Sequence, residues 1–176
     1  MLEHTDFLVL GSGIAGLTFA LSAAHFGQVV VLTKRSRDDT ATAWAQGGVA
    51  AVFSPDDSFD KHYKDTIDAG MGLCHEVVVE LCVREGPDAV RWLANLGASF
   101  SRTWSGELDL GREGGHRERR VVHAGDLTGR EIQRALSAAA SRDPNIRLLE
   151  GHMGIDLITT SKFGGPDRCV GAYVLD

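Results

Sequence analysis

The chain has no apolar run long enough to span a bilayer, no CxxC pair, no low-complexity tract and no surplus of positive charge. A membrane-crossing helix needs about 20 consecutive apolar residues, so no membrane span is expected. Cysteine occurs only at Cys74, Cys82 and Cys169. An odd count without metal-type spacing gives neither a disulfide framework nor a zinc site, and these residues read as small buried hydrophobes. The net charge of -6 and pI near 5.6 disfavour sequence-independent nucleic-acid binding, which requires a basic surface to neutralise phosphates. The one basic cluster, Arg112 to Arg130, is interrupted by Glu113, Glu118 and Asp126 and suits a local anion or dicarboxylate better than DNA. Residues 1–6 resemble neither a signal peptide nor an arginine-rich transit peptide, so the cytoplasm is the expected location. With 43% hydrophobic residues in 176, the composition is that of one ordinary globular core.

What the chain does have is a glycine turn, Gly11-Ser12-Gly13-Ile14-Ala15-Gly16, set between an apolar run from Asp6 to Leu10 and a helical pattern. In a dinucleotide-binding start the first glycine permits a tight turn out of the strand and the second lets the backbone approach a pyrophosphate. The third allows close helix–strand packing. Free N–H groups and the positive end of the helix then face the phosphates. The second strand departs from the usual form. Gln28 to Leu32 is followed by Thr33-Lys34, where a ribose-binding Asp or Glu is expected. Lys34 suits a phosphate or the adenosine end of a cofactor ahead of the alternative, a solvated strand end.

The coarse reading is strand 6–10, helix 13–26 ended by Gly27, and strand 28–33, a βαβ unit with a parallel pair. Residues 35–55 form a long loop of small residues. Asp57 or Ser58 caps a helix to about Ala69, and a second helix from Glu76 to Leu96 is interrupted near Gly86-Pro87. Residues 101–120 read as an exposed or ligand-facing loop. Thr128 and Glu131 have capping-box spacing for a helix reaching about Ala140. Strands follow at 146–150, 154–160 and 168–175, the last two as a hairpin. His25 and His62 read as surface or helix histidines.

The turn, the run VVVLTK, the segment TATAWAQGGVAA, the motif GREGGH and the run HAGDLTGREI together resemble the flavoprotein subunits of succinate dehydrogenase and fumarate reductase. Within that group they are most similar to the L-aspartate oxidase branch. The resemblance covers Asp6 to Val174. It implies an α/β, Rossmann-like FAD-binding domain with a helical insertion and a β-hairpin. It implies FAD over Gly11, Ser12, Gly13, Ile14, Ala15 and Gly16, with the adenosine end near Lys34 and the adenine at Gly154 and Ile155. The isoalloxazine would lie against Ala41, Thr42, Ala43, Trp44, Ala45, Gln46, Gly47 and Gly48. In the last segment two glycines suit a backbone lying against a flat ring, or simply a turn. Branches whose flavin is covalently linked carry His at the position of Ala41. A methyl group cannot form that link, so non-covalent FAD is implied.

Glu113, in Arg112-Glu113-Gly114-Gly115-His116, matches the carboxylate that faces substrate in the L-aspartate oxidase branch. A carboxylate there pairs with an ammonium on the carbon that loses hydride, and beside a bare methylene it is an unpaired charge. His116, Arg119, Arg120 and His123 are weaker candidates, and no metal site is expected from His116 and His123. The implied activity is oxidation of L-aspartate to iminoaspartate for de novo NAD synthesis, with oxygen or fumarate as electron acceptor. A soluble fumarate reductase-type flavoprotein and a non-catalytic dinucleotide-binding module are the alternatives. Family members are about three times longer. Residues 1–176 therefore read as the N-terminal part of an incomplete FAD-binding domain, without capping or C-terminal helical domains and not competent alone.

Overall fold

The computed structural model describes residues 3–176; Met1 and Leu2, part of the stretch read for a targeting signal, lie outside the described residues. The chain divides into two compact units. One comprises the residues up to Ala43 together with Gln133–Asp176, and the other is Trp44–Ile132. Among the described residues no helix is long and apolar enough to cross a membrane.

The first unit is built on β1 (Phe7–Leu10), α1 (Ile14–Ala23) and β2 (Val29–Thr33). β1 and β2 pair in parallel with Phe7 opposite Val29, and β6 (Ile146–Glu150) adds in parallel on the other side of β2, giving the order β1-β2-β6. All five residues of β2 are buried, as a central parallel strand covered on both faces requires. Leu17, Ala20 and Ala23 form the buried face of α1. The helix ends three residues earlier than the sequence suggests. Its cap is Ala24 in a right-handed conformation, so Gly27 does not end it by a left-handed turn. Gly27 serves close approach instead: a Cβ there would lie 2.5 Å from Asp6 Oδ2, whose carboxylate accepts the Gln28 N–H at 2.8 Å. The expected hairpin is present as β7 (Met153–Thr159) and β8 (Cys169–Leu175), antiparallel and joined through a 3-10 turn at Thr160–Phe163.

The second unit carries a small antiparallel sheet in the order β3-β5-β4, from β3 (Val49–Ala50), β4 (Leu110–Gly111) and β5 (Val121–Val122). The segment 35–55 is thus not one long loop, since it contains β3 and the single-turn α2 (Ala41–Trp44). Two-residue strands and four-residue helices leave too little periodicity to read in sequence. Ser58 caps α3 (Phe59–Gly70), its Oγ accepting the Lys61 N–H at 3.2 Å. α4 (Glu76–Asn95) runs unbroken through Pro87. Val83, Pro87, Val90 and Leu93 recur at helical spacing on its buried face, and that packing outweighs the one hydrogen bond a proline removes. The same periodicity turns Cys82 outward. It is exposed, as is Cys169, while Cys74 is half-buried, so the expectation of buried cysteines fails. At the start of α5 (Thr128–Arg142) the Thr128 hydroxyl accepts the Ala124 N–H and Glu131 Oε1 accepts the Ser99 N–H. Both side chains of the anticipated capping box therefore tie the helix start to chain outside it.

Leu17, on the buried face of α1, is fully buried. Truncation by Leu17→Ala is expected to cost about 2–5 kcal/mol in urea unfolding, and an unchanged midpoint would contradict this packing.

Candidate functional site

In the first unit the glycine turn joins β1 to α1 with Gly11 at φ 110°, a left-handed value that L side chains rarely adopt. Gly11 N–H donates to Leu32 O at 2.8 Å, which fastens the turn to β2. A Cβ on Gly16 would lie 2.0 Å from Gly11 O, so this position admits only glycine. The first backbone bond of α1 is Leu17 N–H to Gly13 O, and the N–H groups of Ile14, Ala15 and Gly16 precede it as helix-end donors. One of them is already engaged, because Ile14 N–H donates to Thr42 Oγ1 at 2.9 Å. Gly11, Ile14 and Ala15 are exposed, whereas the Ser12 side chain is buried and donates to Arg37 O at 3.1 Å. Lys34 is exposed just past β2. A Cβ on Gly154 would lie 3.3 Å from Leu10 Cδ1, and the neighbouring Ile155 is exposed.

Gln133 was not singled out in the sequence, yet it organises this turn. It is buried on α5, where its Nε2 donates to the carbonyls of Ser12 and Arg37, both at 2.9 Å, and its Oε1 accepts from Thr40 Oγ1 at 2.9 Å. Thr40 Oγ1 in turn accepts the Ala43 N–H at 3.1 Å. A polar residue at a buried position of an otherwise alanine-rich helical face was the available signal.

In the second unit Gln46, Gly48, Gly111, Glu113, Val121, His123, Gly125 and Asp126 line a cavity of about 410 Å³. This is the size of small-molecule sites, about 300–1,000 Å³. Glu113 Oε1 lies 3.5 Å from the Gly48 N–H, at the limit of a hydrogen bond, and Gly47 sits beside the same carboxylate. The two glycines differ. A Cβ on Gly48 would meet Val121 Cγ1 at 2.4 Å and Val122 O at 2.5 Å, so β5 alone accounts for it; a Cβ on Gly47 would meet nothing nearer than Glu113 Oε2 at 3.9 Å. His123 Nε2 lies 3.6 Å from Asp109 Oδ2. Trp44 and Ala45 are exposed, with Ala45 O accepting the Gly129 N–H at 3.1 Å, and Ala41 is exposed at the start of α2.

Two arginines of the basic cluster, Arg117 and Arg120, are engaged in internal ion pairs. Arg120 is fully buried. Its Nε and Nη2 contact both oxygens of Asp57 at 2.8 Å, and Nη1 reaches Asp65 Oδ2 at 2.7 Å. Arg117 pairs with Asp65 and Asp68 on α3. Burial opposes the Arg120 charge, but these two carboxylates outweigh it and raise its pKa. Burial likewise pushes Asp65 up. The Arg117 N–H and the Arg120 guanidinium prevail and hold it below the usual carboxylate value. His116 Nδ1 is 3.2 Å from Arg120 Nη1, and because a guanidinium can only donate, Nδ1 is the acceptor. His62 is not a surface residue. It is buried on α3, its ring 5.8 Å from that of His116, and its Nδ1 has no partner.

Residues 6–176 match the model of the FAD binding domain family, and the chain belongs to that family. FAD is thus the cofactor assigned to this fold. The chain is 52% identical over 158 residues to an L-aspartate oxidase of Nicotiana tabacum, covering 90% of this chain and 24% of that protein. It is 48% identical over 174 residues to an L-aspartate oxidase of Ralstonia nicotianae, covering 97% of this chain and 33% of that protein. It therefore spans about a quarter to a third of the length of the curated relatives it matches. Among solved structures, an E. coli quinol fumarate reductase flavoprotein superimposes with a TM-score of 0.90 at 28% identity, over 97% of this chain and 29% of that one. The Rossmann-like α/β class is that of the succinate dehydrogenase and fumarate reductase flavoproteins.

Burial, the Arg120 charge and His116 hold the His62 imidazole below its ordinary value of 6.5, so the fold favours the neutral ring. The unfolded chain takes up a proton as pH falls below about 6.5 and the native chain does so only lower, so stability is lost on acidification through that window. A further loss, from Asp65, begins only near 3.8. Urea midpoints of the native chain should fall between pH 7 and 5, and less steeply in His62→Gln; parallel profiles would contradict the assignment.

Proposed function

We propose that this domain takes part in the FAD-dependent oxidation of L-aspartate to iminoaspartate, the step that feeds quinolinate and NAD synthesis. The observation that carries this is Glu113, a carboxylate lining a cavity of small-molecule size beside Gln46 and Gly48. The resemblance to named L-aspartate oxidases over 90% or more of the chain supports it.

In this reading the residues from Gly11 to Gly16 hold the cofactor pyrophosphate. The turn fits such a group: no side chain fits at Gly16, and helix-end N–H groups precede the first bond of α1. Lys34, Gly154 and Ile155 serve the adenosine end, and Ala41 to Gly48 the flavin ring. Ala41 has no nucleophile, so attachment is non-covalent. Bound FAD supplies a two-electron acceptor for hydride from the substrate α-carbon. The task of Glu113 is to bind the substrate ammonium and fix which carbon is presented, because its charge is paired by aspartate and left unpaired by succinate. Gln46 offers a donor and an acceptor to the same space. Oxygen or fumarate takes the electrons, in the cytoplasm, and the 176 residues act as one part of a larger catalytic machine.

Flavin difference spectra of the FAD-loaded chain provide the test. L-aspartate should perturb the spectrum at lower concentration than succinate, and Glu113→Gln should narrow or reverse that order. Removing a hydrogen bond to a charged group costs about 1.5–3 kcal/mol, on the order of tenfold or more in affinity. A wild-type preference for succinate or fumarate would replace this reading with a fumarate reductase. Tight FAD binding without response to either ligand would favour a non-catalytic module.

A further inference from the structure

The cavity wall poses a charge problem for the proposed substrate. L-aspartate brings two carboxylates and one ammonium, while the lining includes two carboxylates, Glu113 and Asp126. Like charges about 4 Å apart repel by about 1 kcal/mol in water and about 4 kcal/mol at the effective dielectric near a protein surface. Once the ammonium is placed against Glu113, a substrate carboxylate on this wall needs an N–H donor. The lining side chains provide two, Gln46 and His123.

They are not equally placed. Gln46 is exposed on the chain between α2 and β3. His123 directly follows β5, whose Val121 and Val122 are buried, and its own carbonyl accepts the Ser101 N–H at 2.8 Å. The imidazole borders the cavity, and its Nε2 lies 3.6 Å from Asp109 Oδ2, beyond hydrogen-bond distance, so among the described residues no protein acceptor claims the ring as a donor. A Cβ on Gly111 would come 3.9 Å from His123 Cδ2, an ordinary contact, so the neighbouring strand does not crowd the imidazole. A donor fixed by a sheet loses less freedom on binding than one on an exposed connection.

We propose that His123 is a specificity-determining residue of this cavity, binding a carboxylate of the same substrate whose ammonium meets Glu113. The pair then reads two features at once. Glu113 selects for the ammonium and His123 for the carboxylate, so an amine without a carboxylate and a diacid without an amine each satisfy half of the wall. This rests on the aspartate reading, and the experiment separates the two.

The test titrates the full chain with L-aspartate and with succinate, following the imidazole C–H resonances by NMR and the affinities of wild type, His123→Leu and His123→Gln. The His123 resonances should shift with both ligands. His123→Leu should weaken both by about tenfold, the loss of one charge-assisted hydrogen bond, and His123→Gln, which keeps an N–H donor, should recover part of that loss. Unshifted His123 resonances at saturating ligand overturn the proposal even if the Leu variant folds poorly. So does an unchanged affinity in a folded His123→Leu chain. A wild-type preference for succinate removes the aspartate reading but still tests His123 through its effect on succinate. Binding of neither ligand overturns both.

Discussion

The Trp44–Ile132 unit depends on a buried guanidinium. Arg120 is withdrawn from water and satisfied by Asp57, before α3, and by Asp65, on α3, while its backbone N–H donates to Gly111 O and its carbonyl accepts the Ala51 N–H. One residue thus fastens a helix to all three strands of a sheet whose strands are only two residues long. Such a sheet has little stability of its own. Replacing a buried ion pair by well-packed apolar groups is often neutral, but removing one partner strands a charge and costs about 3–5 kcal/mol. What the clamp secures here is position: Gly111 and Val121, the strand residues beside it, line the same cavity as Glu113 and His123.

The other unit rests on a steric constraint. Gly16 packs directly on the carbonyl of Gly11, and Gln133 reaches the carbonyls of Ser12 and Arg37 from α5. Helix-end donors are held in place by contacts that any larger residue at 16 would break. The Thr42 hydroxyl, which accepts the Ile14 N–H, adds a further tie to this turn. These ties to the turn are made by side chains that carry no charge.

The parallel β1-α1-β2 start, the Ser58-capped helix and the β7–β8 hairpin were legible because each is announced by local chemistry: a glycine turn, a hydroxyl cap, alternating apolar residues around a glycine-rich bend. The short β3, β4 and β5 were not, since two residues carry no period. Pro87 misled for a related reason. Its local cost was visible in sequence, whereas the burial of Val83, Val90 and Leu93 that offsets it is a property of the folded unit. Arg120 was legible only as one of several weaker site candidates, and only the fold places Asp57 and Asp65, distant in sequence, around it. Glu113 was singled out through the motif that surrounds it, and Gln133 was overlooked because its one signal, a polar residue on an alanine-rich helical face, becomes burial only when the helix is packed.

These features support one account in which a family-typical cofactor turn is joined in the chain to a small, acid-lined cavity suited to an amino diacid. A crystal structure of the chain with FAD and L-aspartate bound tests that account most directly. It predicts the substrate ammonium within hydrogen-bonding distance of the Glu113 carboxylate and the cofactor pyrophosphate at Gly11 to Gly16. An ammonium turned away from Glu113, or a dicarboxylate seated outside this cavity, would contradict it.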